Sequence, residues 1–460
     1  MNLTRDPVQS LLVKMAVPAS TGFLFNTLYN VTDTYWGGAI STDALAALSL
    51  SFPVFMILLA LGQGISSGAS ALIANALGAD QEDRAILLQA QAIELAIIVA
   101  LVFTLPIVFL LPTIFRLMGA EPNLLETARR YSSVLVGGGI FFIVNAVLNA
   151  GLSARGDTTS YRNFLIAGFV LNIGLDPLLL FGLTVGGVHV IPAFREVGIA
   201  AATILIQAGG TLYLVRQLIR SGSIGTRAIG FSRFGVRFEI WGEIIQQGVP
   251  SALNMAAIAL GTFVITYFIA RFGTTAVAAY GSALRIEQIA LIPTIGLNIA
   301  LASMVGQNNG ANRLDRVQES YHTSLKLGAL VMAGILTPVL IFGRTLIAIF
   351  TENPLVISTG ITYLYIQGLT FYSYVLMNQS NAVLQGLKRP GMIMWVGLYR
   401  QVLAPFIVFP LLISAGDLGI RGVWWGLVFI NWSAAIFTWR YATRVIDAAI
   451  RVNLPVDDLY

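Results

Sequence analysis

The chain has 460 residues, of which 56% are hydrophobic and 11% charged, with a mean hydropathy of +0.79 and a net charge of +5. Soluble domains carry about 25% charged residues, so this composition cannot cover a large water-facing surface. Disorder, a collagen-like fibre, a disulfide scaffold and an ordinary cytosolic enzyme are excluded, and the chain reads as a polytopic membrane protein.

A spanning helix needs roughly 20 apolar residues. Apolar runs bounded by Gly, Pro or charge clusters predict six spans near 11–38, 47–77, 87–111, 130–151, 162–183 and 196–218. Six more follow near 243–270, 276–308, 321–343, 358–386, 392–413 and 420–443. The first is too long for a signal peptide and lacks a convincing small-residue cleavage site. The chain has no cysteine, which removes disulfides and thiolate metal sites. His189 and His322 fall in predicted loops on different halves, too few and too dispersed for a metal site.

Orientation follows from the basic residues. With the N-terminus in the cytoplasm, only Arg116, Arg129, Arg130, Arg195, Arg271, Arg344 and Arg421 fall outside. Arg285 and Arg400 lie within spans, and every other Lys and Arg is inside. That positive-inside bias puts both termini in the cytoplasm and accounts for the basic balance without nucleic acid as a partner.

The chain also repeats itself. Val17-Pro18 recurs as Val249-Pro250, an offset of 232. At the same offset Thr42-Asp43-Ala44-Leu45-Ala46-Ala47 becomes Thr274-Thr275-Ala276-Val277-Ala278-Ala279. Gly78-Ala79-Asp80 with Asp83-Arg84 likewise becomes Gly310-Ala311-Asn312 with Asp315-Arg316. Asn145-Ala146-Val147-Leu148 pairs with Asn381-Ala382-Val383-Leu384, and Asn172, Asp176 and Pro177 pair with Arg400, Ala404 and Pro405. An even number of spans per repeat predicts two six-helix lobes related by a pseudo-two-fold axis along the membrane normal, around a central cleft. The lobes are 1–218 and 242–446, joined by a cytoplasmic linker, 219–241, that holds Arg220, Arg227, Arg233 and Arg237, and followed by a cytoplasmic tail, 447–460.

Charges inside spans are the candidate functional groups, since each costs at least about 2.5–3.5 kcal/mol at mid-membrane. On span 1, Asn26, Tyr29, Asn30 and Asp33 share one helical face. Asn172 and Asp176 are one turn apart on span 5, as are Thr203 and Gln207 on span 6. If these faces converge, they offer two carboxylates, an amide oxygen and a hydroxyl. Such a set suits a hard cation such as sodium, or a proton shared between two close carboxylates. The proton is favoured, since nothing enforces sodium-sized geometry. Interhelical hydrogen bonding is the plainer reading for Asn172 and Thr203. Pro18 inside span 1 removes a backbone hydrogen bond and marks a kink. Span 8 carries Arg285 and Glu287, which do not face each other at that spacing. Gln367, Thr370, Tyr374, Asn378, Asn381 and Gln385 form a polar stripe on span 10, read as facing a substrate cavity.

The twofold six-span repeat, each with its Val-Pro and its Gly-Ala-[Asp/Asn]-x-x-Asp-Arg loop, resembles the multidrug and toxic compound extrusion (MATE) family. Asp33 with Asn172-x-x-x-Asp176-Pro177 resembles its DinF-like branch. The resemblance implies an all-α fold of twelve transmembrane helices and no enzymatic cofactor. It further implies cation coupling at Asp33, Asn172, Asp176 and Thr203, and bending of span 1 at Pro18 as a hinge. The implied activity is antiport, driven by H⁺ or Na⁺, of small amphipathic, cationic drugs or dyes across a bacterial or archaeal inner membrane. A two-lobed transporter can work as a monomer. Alternatives are a lipid-linked oligosaccharide flippase of the same superfamily, which would use a cationic cavity with Arg285 and Arg400, and more remotely a polytopic membrane enzyme. A channel is disfavoured because no selectivity-filter loop is visible.

Overall fold

The computed structural model describes residues 1–185, 188–222, 235–414 and 418–453. Helices α1 (Val8–Ile40), α2 (Thr42–Gly78) and α3 (Glu82–Leu117) come first, then α4 (Pro122–Gly137) and α5 (Gly139–Ala154), separated at Gly138. Helix α6 (Thr159–Phe181) and α7 (Glu196–Arg220) flank a two-stranded antiparallel hairpin, β1 (Leu183–Val185) and β2 (Val188–Ile191). The second series is α8 (Phe238–Ala270), α9 (Thr274–Gly310), α10 (Leu314–Ala348), α11 (Pro354–Gly368) and α12 (Phe371–Gly386). It closes with α13 (Gly391–Leu398), a π-helical turn (Tyr399–Leu403), α14 (Ala404–Ser414) and α15 (Ile420–Asn453).

Eleven of these helices, counting α4–α5 and α13–α14 as continuous spans, are long and apolar enough to cross a membrane. The tenth span is two short helices, α11 and α12, interrupted at Leu369 and Thr370. That break corrects the polar stripe predicted on span 10: Gln367 lies on α11, whereas Tyr374 and Asn378 lie on α12. Most helices run several residues past their apolar limits, because polar end turns carry no hydropathy signal. His322 is helical, within α10, rather than in a loop. Residues 447–453 of the predicted tail belong to α15, while 454–460 and linker residues Arg227 and Arg233 lie outside the described residues.

The repeat extends to the helix termini. Helices α2 and α9, α3 and α10, α4 and α11, and α5 and α12 each begin 232 residues apart. Two helix C-termini repeat as left-handed residues: Asp80 and Asn312, both at φ 56°, and Gly156 and Lys388, at φ 87° and 58°. After Asp80 the Gln81 N–H bonds Ala76 O, and after Asn312 the Arg313 N–H bonds Asn308 O, the longer bond of a Schellman cap. This constant offset corrects two pairings. Asn149-Ala150-Gly151-Leu152, not the tetrapeptide from Asn145, is the counterpart of Asn381-Ala382-Val383-Leu384. Helix α13 begins 232 residues after α6, and the π turn then admits one extra residue, so Pro177 corresponds to Pro410 rather than Pro405.

Contacts divide the chain into two compact units, Met1–Ser20 with Ala74–Gln81 and Leu253–Tyr460, and Thr21–Ile73 with Glu82–Ala252. The boundaries after Ser20 and Ala252 are again 232 apart, two residues past Pro18 and Pro250. Within the first unit α1 packs on α9 where Gly296 leaves no room for a Cβ beside the Ala16 carbonyl and Ser20. The segment leading into α1 is held in the same unit: Asn308 Nδ2 donates to Leu3 O (3.1 Å), Arg313 Nη1 to Thr4 O (2.9 Å) and Arg316 Nη2 to Asp6 O (2.7 Å). Within the second unit α8 packs on α2 in the same way, with Gly64 and Gly68 against Ala252 and the Gly248 and Ile244 backbone. Ser67 and Ser251 share a 2.7 Å hydrogen bond at that crossing. Small residues at membrane helix crossings allow this backbone approach.

Candidate ion-coupling site

Helices α1 and α6 run parallel in close register. Gly22 lies on Arg162 and Leu165, Phe25 meets Phe169 edge-on at 5.5 Å, and Gly168 leaves space for the Tyr29 ring. One turn on, Asp33 reaches Asn172. Gly168 also accepts Ile206 of α7, and that approach brings Thr203 alongside.

The Asn172 side-chain amide donates to Asp33 Oδ1 at 2.8 Å and to Asp176 Oδ1 at 2.9 Å. Thr203 Oγ1 donates to Asp33 Oδ2 at 3.4 Å, a weak contact. Asn172 and Asp176 are fully buried, and Asn172 Oδ1 and Asp176 Oδ2 have no hydrogen-bond partner. Among the described residues no Lys, Arg or His forms an ion pair with either aspartate. One amide thus clamps two carboxylates that have no basic partner among the described residues. Such an arrangement can accept one positive charge, as a shared proton or a small cation.

Of the other residues predicted on these helices, Tyr29 is buried beside the pair. Asn30 is exposed and donates back to Asn26 O (2.9 Å), which places it on a free face of α1. Gln207 Oε1 accepts from Asn145 Nδ2 at 2.8 Å, and Thr211 closes that network. Pro18 is buried within an α1 that continues through it, about 22 Å of helix rise before Asp33. Sequence reading missed Tyr131 of α4, a buried phenol close enough to Asp33 and Asp176 to feel both charges. A tyrosine in an amphipathic helix carries no signal that sets it apart.

The second repeat holds a separate cluster. Glu287 of α9 is 3% exposed and accepts from Tyr363 Oη at 2.6 Å. Tyr374 and Arg400 are its other polar neighbours. The Arg400 guanidinium stacks over the Tyr374 ring (5.5 Å) and donates to Asn431 Oδ1 (3.3 Å), while its Nε has no partner. Arg285 is exposed and lies over the Phe350 ring at 5.7 Å, away from this cluster. Gln367 is buried and donates to Trp424 O, and Asn378 Nδ2 donates to Thr294 Oγ1. Both make helix-packing contacts.

A twice-repeated set of long apolar helices, with charged and amide side chains gathered inside spans, defines a multi-pass membrane transporter rather than an enzyme. The profile of the MatE family matches residues 18–178 and 250–409, two segments that each open on a repeat's proline, and the chain belongs to that family. It is 25% identical over 449 residues to an FAD transporter of Shewanella oneidensis, covering 97% of this chain and 96% of that protein. It is 24% identical over 460 residues to the multidrug export protein MepA of Staphylococcus aureus, covering 98% and 96%. A solved outward-facing multidrug resistance MATE transporter of the MOP superfamily superposes with a TM-score of 0.90 at 26% identity, covering 98% of each chain.

Proposed function

We propose that this transporter is a secondary antiporter that exports small amphipathic, cationic drugs or dyes in exchange for an entering cation, by alternating access of its two six-span repeats. The cation is a proton, with sodium the other candidate. The reading rests on one observation, the single Asn172 amide bridging Asp33 and Asp176. Two carboxylates held this close, with no basic partner among the described residues, take up one positive charge as a unit. Binding drives transport only if it favours one conformation over the other. Pro18 is the proposed hinge through which α1 responds. The working halves are residues 1–218 and 242–446, in a monomer in the inner membrane of a bacterium or archaeon with both termini cytoplasmic. The loop arginines and lysines support that orientation.

The test is dye efflux from proteoliposomes carrying either a pH or a sodium gradient, comparing native protein with Asp33→Asn and Asp176→Asn at matched amounts. Native transport should follow the pH gradient, and both variants should lose uphill transport while still binding dye. Equal transport by all three would place coupling elsewhere.

The similarity to an FAD transporter favours a second reading, a phosphate-bearing anionic solute as cargo. A lipid-linked oligosaccharide is a member of that class. Arg285 and Arg400 are the span residues that would receive the phosphates. Saturable binding of flavin dinucleotide, with no dye binding, would establish it.

A further inference from the structure

The last helix ends in a basic groove that export does not use. Along α15 one exposed face carries Trp425, Phe429, Ile436 and Phe437, and then Trp439, Arg440 and Arg444. The opposite face is fixed, because Ala435, Ala442 and Ile446 are buried in one apolar cluster with residues of α10 and α12. The arginines therefore stay on the outer surface of the bundle. A step from apolar residues through tryptophan to arginine on such a face marks the headgroup level of a bilayer. At that step Trp439, Arg440, Thr443 and Arg444 line an open groove of about 290 Å³.

The groove has the chemistry of a phosphate receptor. Arg440 and Arg444 are one turn apart, about 6 Å along the axis. Among the described residues neither forms an ion pair, not even with Asp447, the single acid on α15. Like charges at that spacing destabilise a helix, and an anion held between them removes the repulsion. Guanidinium forks match phosphate oxygens and repel an ammonium. Thr443 adds a different demand. Its hydroxyl hydrogen is committed to Trp439 O at 2.9 Å, so it offers the groove an acceptor. A phosphate oxygen cannot use that acceptor, whereas a headgroup hydroxyl can. The stripe through Phe429 and Ile436 gives an acyl chain its path.

The first repeat supplies the contrast. Helix α7 also ends on an exposed Arg-x-x-x-Arg, Arg216 and Arg220, but with Val215 and Ile219 where α15 has Trp439 and Thr443. Basic charge is common to both ends, and the indole and the hydroxyl acceptor belong to α15.

We propose that Trp439, Arg440, Thr443 and Arg444 form a binding site for an anionic glycerophospholipid whose headgroup joins a phosphodiester to free hydroxyls, as in phosphatidylglycerol. The site lies in the leaflet that the proposed orientation makes cytoplasmic. Lipid binding there does not depend on the antiport reading.

The test is native mass spectrometry of the full chain in detergent, with phosphatidylglycerol, phosphatidylethanolamine or phosphatidic acid of identical acyl chains. Native protein should retain phosphatidylglycerol preferentially. Arg440→Gln/Arg444→Gln should weaken that retention at least about tenfold, with an unchanged melting temperature before lipid is added. Arg216→Gln/Arg220→Gln should leave most of it. Thr443→Val should narrow the preference for phosphatidylglycerol over phosphatidic acid, which has the phosphate without the hydroxyls. If the Arg440/Arg444 variant does not fold, Trp439→Leu is read in the same way. Equal retention of phosphatidylglycerol and phosphatidylethanolamine by native protein overturns the inference. Equal losses from the two arginine pairs overturn it too, since basic charge alone would then account for binding. Displacement of the lipid by an equal concentration of free glycerol 3-phosphate would make the ligand a soluble phosphate ester and also overturn it.

Discussion

At the residue scale, the candidate site depends on one side chain with two N–H groups. Asn172→Leu removes a donor from the buried Asp176 and another from the half-buried Asp33, each loss worth about 1–3 kcal/mol. That variant should lose gradient-driven transport and melt several degrees lower in a detergent thermal-shift assay. Thr203→Val removes only a 3.4 Å contact. It should transport at a rate within a few-fold of native, with an unchanged melting temperature. Asp33, Asn172 and Asp176 were legible in the sequence because a charge or amide stands out in an apolar run and i,i+4 spacing fixes a shared face. Their mutual geometry was not, because Asp33 and Asn172 are 139 positions apart. Tyr131 was illegible for the reason already noted, and the partners of Glu287 were equally hidden.

At the element scale, helix termini follow local chemistry closely enough to repeat at one offset. Pro122 and Pro354 open α4 and α11 at a position where the missing N–H is harmless. Left-handed residues close α2 and α9. After α12 the left-handed residue is Lys388, at φ 58° where the first repeat has Gly156. Residues other than Gly, Asn and Asp lose roughly 1–2 kcal/mol in that conformation. Lys388→Gly should therefore raise stability by about 1 kcal/mol, read as a higher melting temperature with transport intact. The π turn was not legible, because one extra residue in an apolar helix changes neither its composition nor its period. Two prolines in the same span, Pro405 and Pro410, misaligned the second repeat in the sequence reading, as did the consecutive Asn-Ala-Val-Leu and Asn-Ala-Gly-Leu.

At the scale of the whole molecule, the pseudo-two-fold has a physical centre within the first unit. A Cβ on Gly78 would overlap the Gln307 carbonyl, and one on Gly310 would overlap the Asn75 carbonyl, contacts that are each other's images at offset 232. Asn309 Nδ2 donates to Asn75 Oδ1 (2.6 Å) beside them. Both obstacles are backbone atoms that cannot step aside. Gly78→Ala and Gly310→Ala should lower the yield of folded protein to similar degrees, whereas Gly334→Ala, with open space around it, should leave yield unchanged. Size-exclusion profiles of the three variants check this. The sequence by itself determined the membrane class, nearly all the spans, the internal repeat and the residues worth testing. Apolar length, proline and glycine placement, and isolated charges act locally and leave local marks. Only the tertiary structure decided that one amide joins two aspartates and that Glu287 meets a tyrosine 76 residues away. It also decided that the first twenty residues pack with the second repeat. Those facts depend on which helices touch, and contact between distant segments is set by the packing of the whole chain rather than by any stretch of it.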